Sequence, residues 1–234
     1  MADITQFSML EVPERPTVAD QVYAELHRQI LSLDLAPGAK ISEIDVARAM
    51  GVSRQPVRDA FFRLSQLGFL VIRPQRATTV SLISHSAVMQ ARFIRTALEV
   101  ETVRVAADRL SEEDHRALEA ILAEQDAAIA SGDKKLFHKL DDRFHREICD
   151  RAGLGFTWTL IAENKGHMDR VRMLSLAFAS QTARDDHGVI LGALMAREPR
   201  KAEDAMRRHL DRIREQIDFI HASNHDWFIG ETPE

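Results

Sequence analysis

The stretch that most constrains this chain is SEIDVARAMGVSRQPVRDAFFRLSQL, from Ser42 to Leu67. It reads as two helices joined by a tight turn at Gly51. Ser42 is placed to cap the first helix, with Asp45 three residues on completing a weak capping box. Val46, Ala47 and Met50 form its apolar stripe. Gly51 suits the point where the chain must leave a helix with positive φ. Ser53 is expected to cap the second helix, whose apolar face is Val57, Ala60, Phe61 and Leu64. Its first turns carry Ser53, Arg54, Gln55 and Arg58. In a helix-turn-helix that end of the second helix points into the major groove. Arginine there can contact phosphate or guanine, and Gln55 can reach adenine or a phosphate.

A surface helix pair with a few exposed charges would also fit this pattern. The residues that follow favour the DNA reader. LGFLVIRPQRATTVSLI forms two short β-rich runs around a turn at Pro74 to Ala77. A helix-turn-helix followed by a two-stranded hairpin is a winged helix. Arg73 and Arg76 sit on the hairpin, where they can reach a flanking phosphate or the minor groove.

The run APGAKISEIDVARAMGVSRQPVRDAFFRLSQLGFLVIRP resembles the DNA-binding domain of the GntR family of bacterial transcription regulators, most clearly in GVSRQPVRDA. The resemblance implies that Arg54 and Arg58 are the principal DNA contacts, with Ser53 and Gln55 beside them. Ile44 stands where many members carry a DNA-contacting arginine, which puts one base contact in doubt. Ala77 stands near the usual wing glycine and implies a less sharply turned wing.

Net charge is −5, which at first argues against nucleic acid. The distribution answers this. Ser53 to Arg76 holds five arginines against the single acid Asp59, a local charge of +4, while the chain from Ser84 onward is acidic. DNA binding needs a local basic face rather than a basic protein. The 234 residues, 45% of them hydrophobic, allow one large or two small domains with a buried core. No apolar run approaches the ~20 residues of a bilayer span, and no secretion signal is evident. A single cysteine, Cys149, excludes an internal disulfide and points to a cytoplasmic protein with a small buried thiol.

The expected organisation is a flexible tail over 1–17, a reader domain over 18–83, a helical domain over 84–222 and a frayed tail over 223–234, in which Trp227 and Phe228 could dock. In the reader, Val22, Leu26, Ile30 and Leu33 give the 18–33 segment a helical period, and Pro37-Gly38 is a turn. Beyond the wing, helical patterns cover 86–110, 111–130, 134–151, 156–174, 181–197 and 199–220. Val88, Phe93, Ile94, Leu98 and Val103 are the apolar positions of the first. Ser111 and Asp114 signal a capping box, and Pro199 suits a helix start. Short connections imply antiparallel neighbours in a bundle.

The helical half contains LDDRFH. Asp141 and His145, four apart, share a helical face at ~5–6 Å between Cβ atoms. Asp142 lies about 100° round the helix and should not share that site. His187 and His209 belong to later helices that could close around the same face. One carboxylate and three imidazoles suit a divalent transition metal. With ten histidines in the chain, such spacing also arises readily by chance.

LDDRFHREI, DDHGVILGAL and AMRRHL resemble the metal-ligand segments of the ligand-sensing domain of the FadR subgroup of GntR regulators, often called FCD. The resemblance covers about 18–220 and implies the ligands Asp141, His145, His187 and His209, with zinc as the first choice and nickel, manganese or iron as alternatives. One ionised aspartate leaves a divalent ion at net +1 with open positions, which attracts a carboxylate. Arg95, in FIRTALE, could fork the other end of that anion, or could simply pair with Glu99 one turn on. His167, Asp169, Arg170 and Arg172, in GHMDRVRML, could line the cavity, but a solvated helix face is the favoured expectation.

The expected fold is therefore mainly α: an N-terminal winged helix-turn-helix with a small β-hairpin wing, followed by an all-α, FCD-like bundle. The expected function is a homodimeric repressor reading a near-palindromic stretch of double-stranded DNA under control of a small carboxylate effector. The competing expectations are a metal-dependent enzyme using the Asp/His site and a regulator whose metal is purely structural.

Overall fold

The structure is a computed structural model that describes residues 15–73 and 75–230. The residues fall into two compact units. The first ends at Ser81 and the second begins at Leu82, with the short segment Ile30–Gly38 grouped with the second.

The first unit holds α1 (Val18–Leu31), β1 (Lys40–Ile41), α2 (Glu43–Met50), α3 (Arg54–Gln66), β2 (Leu70–Val71) and β3 (Thr78–Val80). Thr17 belongs to α1 rather than to a tail. Its hydroxyl accepts from the Asp20 amide while the Asp20 carboxylate accepts from the Thr17 amide, both at 3.1 Å. Residues 1–14 of the expected tail lie outside the described residues. Val22 and Leu26 from α1 are buried, as are Ala47, Val57, Ala60, Phe61, Leu64, Phe69 and Leu70. Arg63 locks α1 onto α3: it bonds Asp20 at 2.7 Å and lies 4.1 Å from the centre of the Tyr23 ring.

The wing is larger than the expected hairpin. β1 adds a third strand, in the order β1-β3-β2, with Ile41 opposite Thr78 and Leu70 opposite Val80, both pairings antiparallel. Two residues are too few to show alternation, so β1 carries no signal in the sequence. At the hairpin tip the Arg76 amide bonds the Arg73 carbonyl at 3.3 Å, and Gln75 takes the left-handed conformation with φ 58°.

The second unit holds α4 (His85–Arg109), α5 (Glu112–Ser131), α6 (Lys134–Arg151), α7 (Gly155–Asn164), α8 (Gly166–Met195) and α9 (Pro199–Ser223), then a 3-10 turn, His225–Trp227. α4, α8 and α9 pack together along their lengths, and α5 and α6 form an antiparallel pair against them. The main core includes Val103, Leu118, Phe144, Ile190, Leu194 and Leu210. Among the described residues no helix is long and apolar enough to cross a membrane.

Three expectations need correction here. The helices expected over 156–174 and 181–197 are instead α7, ending at Asn164, and the unbroken α8. The segment 175–180 contains no glycine or proline. Its serines bond back into the helix, Ser175 to the Arg172 carbonyl at 2.9 Å and Ser180 to the Leu176 carbonyl at 2.7 Å. Phe93, expected inside, is 70% exposed, because the inward stripe of α4 runs through Val88, Ala91, Arg95, Glu99, Val103 and Ala106. The C-terminal segment is not frayed as far as Gly230. Phe228 is buried, and Ile83 bonds the carbonyl of Trp227 at 2.8 Å while its own carbonyl accepts from Ile229 at 2.9 Å.

Candidate metal centre and nucleic-acid interface

In the first unit, α2 starts at Ser42, whose hydroxyl accepts from the Ile44 amide at 3.2 Å. Asp45 does not close a capping box; it pairs with Arg48 at 3.3 Å. Gly51 ends the helix with φ 67°. Ser53 is the N-terminal boundary residue of α3, but its hydroxyl makes no capping bond. With Val57, Ala60, Phe61 and Leu64 buried, the opposite face presents Ser53, Arg54, Gln55 and Arg58 to solvent. Arg54 lies 3.4 Å and Arg58 3.5 Å from the same oxygen of Glu43. Gln55 bonds Asp59 at 2.9 Å. Glu43 thus gathers both arginines, a role its place at the start of α2 did not signal. Ile44 is exposed on that helix, and Arg73 and Arg76 are exposed at the tip of the wing.

In the second unit, α6 supplies Asp141 and His145, α8 supplies His187 and α9 supplies His209. One ligand atom from each falls within a common 4.8 Å. His187 Nε2 is 3.6 Å from Asp141 Oδ1, and His145 Nε2 is 3.9 Å from Asp141 Oδ2. The rings pack against one another, with His145 and His209 stacked at 5.1 Å between centroids. Asp142, one residue on, faces away from the cluster, as its helical angle requires.

Beside each imidazole Nδ1 lies a side-chain oxygen. For His145 it is Glu99 Oε2 at 2.5 Å, for His187 it is Gln125 Oε1 at 3.0 Å, and for His209 it is Asp186 Oδ2 at 3.5 Å. The His187–Gln125 contact is a hydrogen bond of the kind that supports a metal-ligating ring, whereas Glu99 and Asp186 approach His145 and His209 without hydrogen-bond geometry. Nε2 of His145 and of His187 is buried without a hydrogen-bond partner. Burial pushes the His187 imidazolium well below its usual range, helped by the neighbouring His209, and burial likewise lowers His209. Both are therefore neutral and free to ligate. Burial alone would raise the Asp141 carboxyl, but the Arg172 guanidinium beside it outweighs burial and holds the group well below the usual carboxylate range. A buried carboxylate, bare imidazole nitrogens and oriented rings fit a divalent transition metal.

Arg95 makes the ion pair with Glu99 that its sequence position allowed. Its Nε donates to Glu99 Oε1 at 2.6 Å in full burial, and it also lines a narrow cleft beside Asp141 and His209. Arg172 and Arg212 line the same cleft, with Leu176, Ala179 and Ile213 as its apolar side. The solvated face expected for GHMDRVRML is corrected by the structure: Asp169, Arg170 and Arg172 are buried and His167 is half-buried. Arg172 bonds Asp141, and also Asp169 at 2.9 Å. Charge pairing is what allows these groups inside, and hydropathy could not reveal it. Gln125 and Asp186, and the approach of Glu99 to His145, have no counterpart in the sequence reading. They lie on other helices or far along the chain, and nothing in sequence marks an acid as the partner of a distant ring.

Comparison with known proteins agrees with both halves. Residues 18–80 match the family model described as bacterial regulatory proteins, gntR family, and residues 90–212 match the FCD domain. The HTH-type transcriptional repressor RspR of Escherichia coli is 38% identical over 94% of this chain and 96% of its own length. A probable D-xylose utilization operon transcriptional repressor of Paenarthrobacter nicotinovorans is 30% identical over 84% of this chain and 87% of its own. Among solved structures, Escherichia coli McbR/YncC superposes with a TM-score of 0.73 at 21% identity, covering 89% of this chain and 99% of that one, and so shares the fold. These relatives are regulators, which sets the enzyme reading aside. The chain belongs to the GntR family of bacterial transcription regulators, in the FadR subgroup that joins a winged helix-turn-helix to an FCD domain.

Proposed function

We propose that this chain is a homodimeric transcriptional repressor whose hold on a near-palindromic operator is set by a small carboxylate bound at a metal. The reader comprises residues 18–83 and the sensor residues 84–222. Ser53, Arg54, Gln55 and Arg58 enter the major groove, and Arg73 and Arg76 take flanking phosphates or the minor groove. Repression as the sense of control rests on the names of the relatives, RspR above all.

The observation that carries the sensing half is the convergence of Asp141, His145, His187 and His209 within 4.8 Å, beside a cleft lined by Arg95. A divalent ion held by these four, with zinc preferred and nickel, manganese or iron as alternatives, would supply a Lewis-acid position for one carboxylate oxygen. Arg95 would receive the other end of the anion. A cleft with arginine on one side and apolar residues on the other favours an effector site over a purely structural ion. Effector binding then favours one arrangement of the dimer and changes its DNA affinity.

Elemental analysis of the purified protein tests the centre. One divalent ion per chain is expected, and none in a His187→Ala, His209→Ala double variant. Full occupancy in that variant would sink the sensing half of the proposal.

A further inference from the structure

Arg172 sits on α8 among three carboxylates, its side chain 10% exposed. Nη2 donates to Asp141 Oδ2, while Nη1 donates to Asp169 Oδ1 at 2.9 Å and lies 3.3 Å from Asp142 Oδ1. Lys165 serves the last two acids as well, bonding Asp142 at 2.8 Å and also Asp169. Asp141 is the one carboxylate of the four-ligand cluster. The same group is therefore wanted by a fixed guanidinium and by a divalent ion. Both are cations, and the buried surroundings offer little water to screen one from the other. Arg172 can release Asp141 without becoming an unpaired buried charge, because Nη1 keeps its own acceptors.

We infer that Arg172 is an internal competitor of the metal. It neutralises Asp141 in the metal-free protein and lowers the affinity of the ion, so that the centre exchanges its metal rather than holding it for the life of the fold. The inference rests on the metal reading above. A residue that merely oriented Asp141 would have the opposite effect, since its loss would weaken the ion's hold.

The test is zinc affinity of the full chain, read by competition with a chromophoric chelator. Arg172→Met should bind zinc ~10–100-fold more tightly than the parent, the range set by one charge-assisted hydrogen bond. Arg172→Lys keeps the charge and should stay close to the parent. Arg172→Met combined with Asp142→Asn restores the local balance of charge and should also bind more tightly, which keeps the inference testable if the single variant folds poorly. Unchanged or weaker zinc binding in the methionine variants overturns it. A parent chain that takes up no zinc, nickel, manganese or iron fails at the earlier step, and both readings fall together.

Discussion

Glu99 Oε2 lies 2.5 Å from His145 Nδ1, while the other oxygen of the same carboxylate accepts from Arg95 Nε at 2.6 Å. One buried acid therefore flanks a candidate ligand and neutralises a cleft arginine. Arg95 and His145, in that order of effect, hold its carboxyl well below the usual range against the opposing effect of burial.

Glu99→Gln should weaken metal binding by about 10–100-fold, as expected for loss of a carboxylate beside a ligating histidine. Glu99→Ala goes further, because it strands the Arg95 guanidinium, whose side chain is 2% exposed. The cost should be about 3–5 kcal/mol in urea denaturation. Adding Arg95→Met should recover much of that loss. Equal stability of Glu99→Ala and its parent would refute the buried pairing.

Protonation supplies an independent check. His187 and His209 are held below the usual value of 6.5, chiefly by burial. When pH falls through the unfolded value, the unfolded chain gains protons that the folded chain does not accept. Stability from these groups is thus complete above 6.5 and is lost as pH falls toward their lowered folded values. In chelator-treated protein the unfolding free energy from urea titration should be level above about pH 7 and decline below it, by at most about 1.4 kcal/mol per pH unit for each histidine, with the midpoint following. A His187→Gln variant should show a shallower decline. A midpoint that rises on acidification to pH 5.5 would contradict the burial of these rings.

How much of this was readable beforehand depends on distance along the chain. Local signals carried well. Ser111 and Asp114 form the reciprocal cap, Gly51 turns with positive φ, and the i, i+4 spacing brings Asp141 and His145 to one site. The segment containing Lys165, Asp169 and Arg172 did not carry, because its charges are satisfied by groups that helix periodicity cannot pair. On α4 the apolar residue Phe93 faces out while the paired Arg95 and Glu99 face in, an exchange that hydropathy alone does not predict. The break expected at 175–180 fails for a different reason: it falls inside α8, where Ser175 and Ser180 bond back to the turn before them and the helix runs on.

Arg197 offers a test of backbone against side chain. It follows α8 with φ 53°, a conformation that favours glycine. Yet its guanidinium reaches across to the end of α4, donating to the carbonyls of Asp108 and Leu110, both at 3.1 Å. Those carbonyls belong to the end of a helix, where acceptors lack partners of their own. Arg197→Ala loses the bonds and keeps the strain, and should cost about 1–3 kcal/mol. Arg197→Gly loses the bonds but relaxes the backbone, and should cost about 1 kcal/mol less than alanine. Thermal denaturation of the two variants side by side gives the order. Glycine less stable than alanine would show that the left-handed backbone is not the constraint.

The reader yields opposite signs from neighbouring residues. Arg58 projects from the exposed face of α3, 3.5 Å from Glu43. Arg58→Ala should weaken binding to the chain's own operator by about 1–3 kcal/mol and relax base preference at one position of each half-site. Glu43 draws Arg58 and Arg54 together and adds a negative charge beside the expected phosphate path. Removing that charge as Glu43→Gln should strengthen binding to unrelated DNA and steepen its salt dependence, since more arginine charge becomes available to displace counterions. Gel shifts at two salt concentrations, with operator and with scrambled DNA, separate the effects. An unchanged Arg58→Ala affinity would move the reading surface off α3, and weaker binding of scrambled DNA by Glu43→Gln would mean that Glu43 chiefly holds the arginines in position.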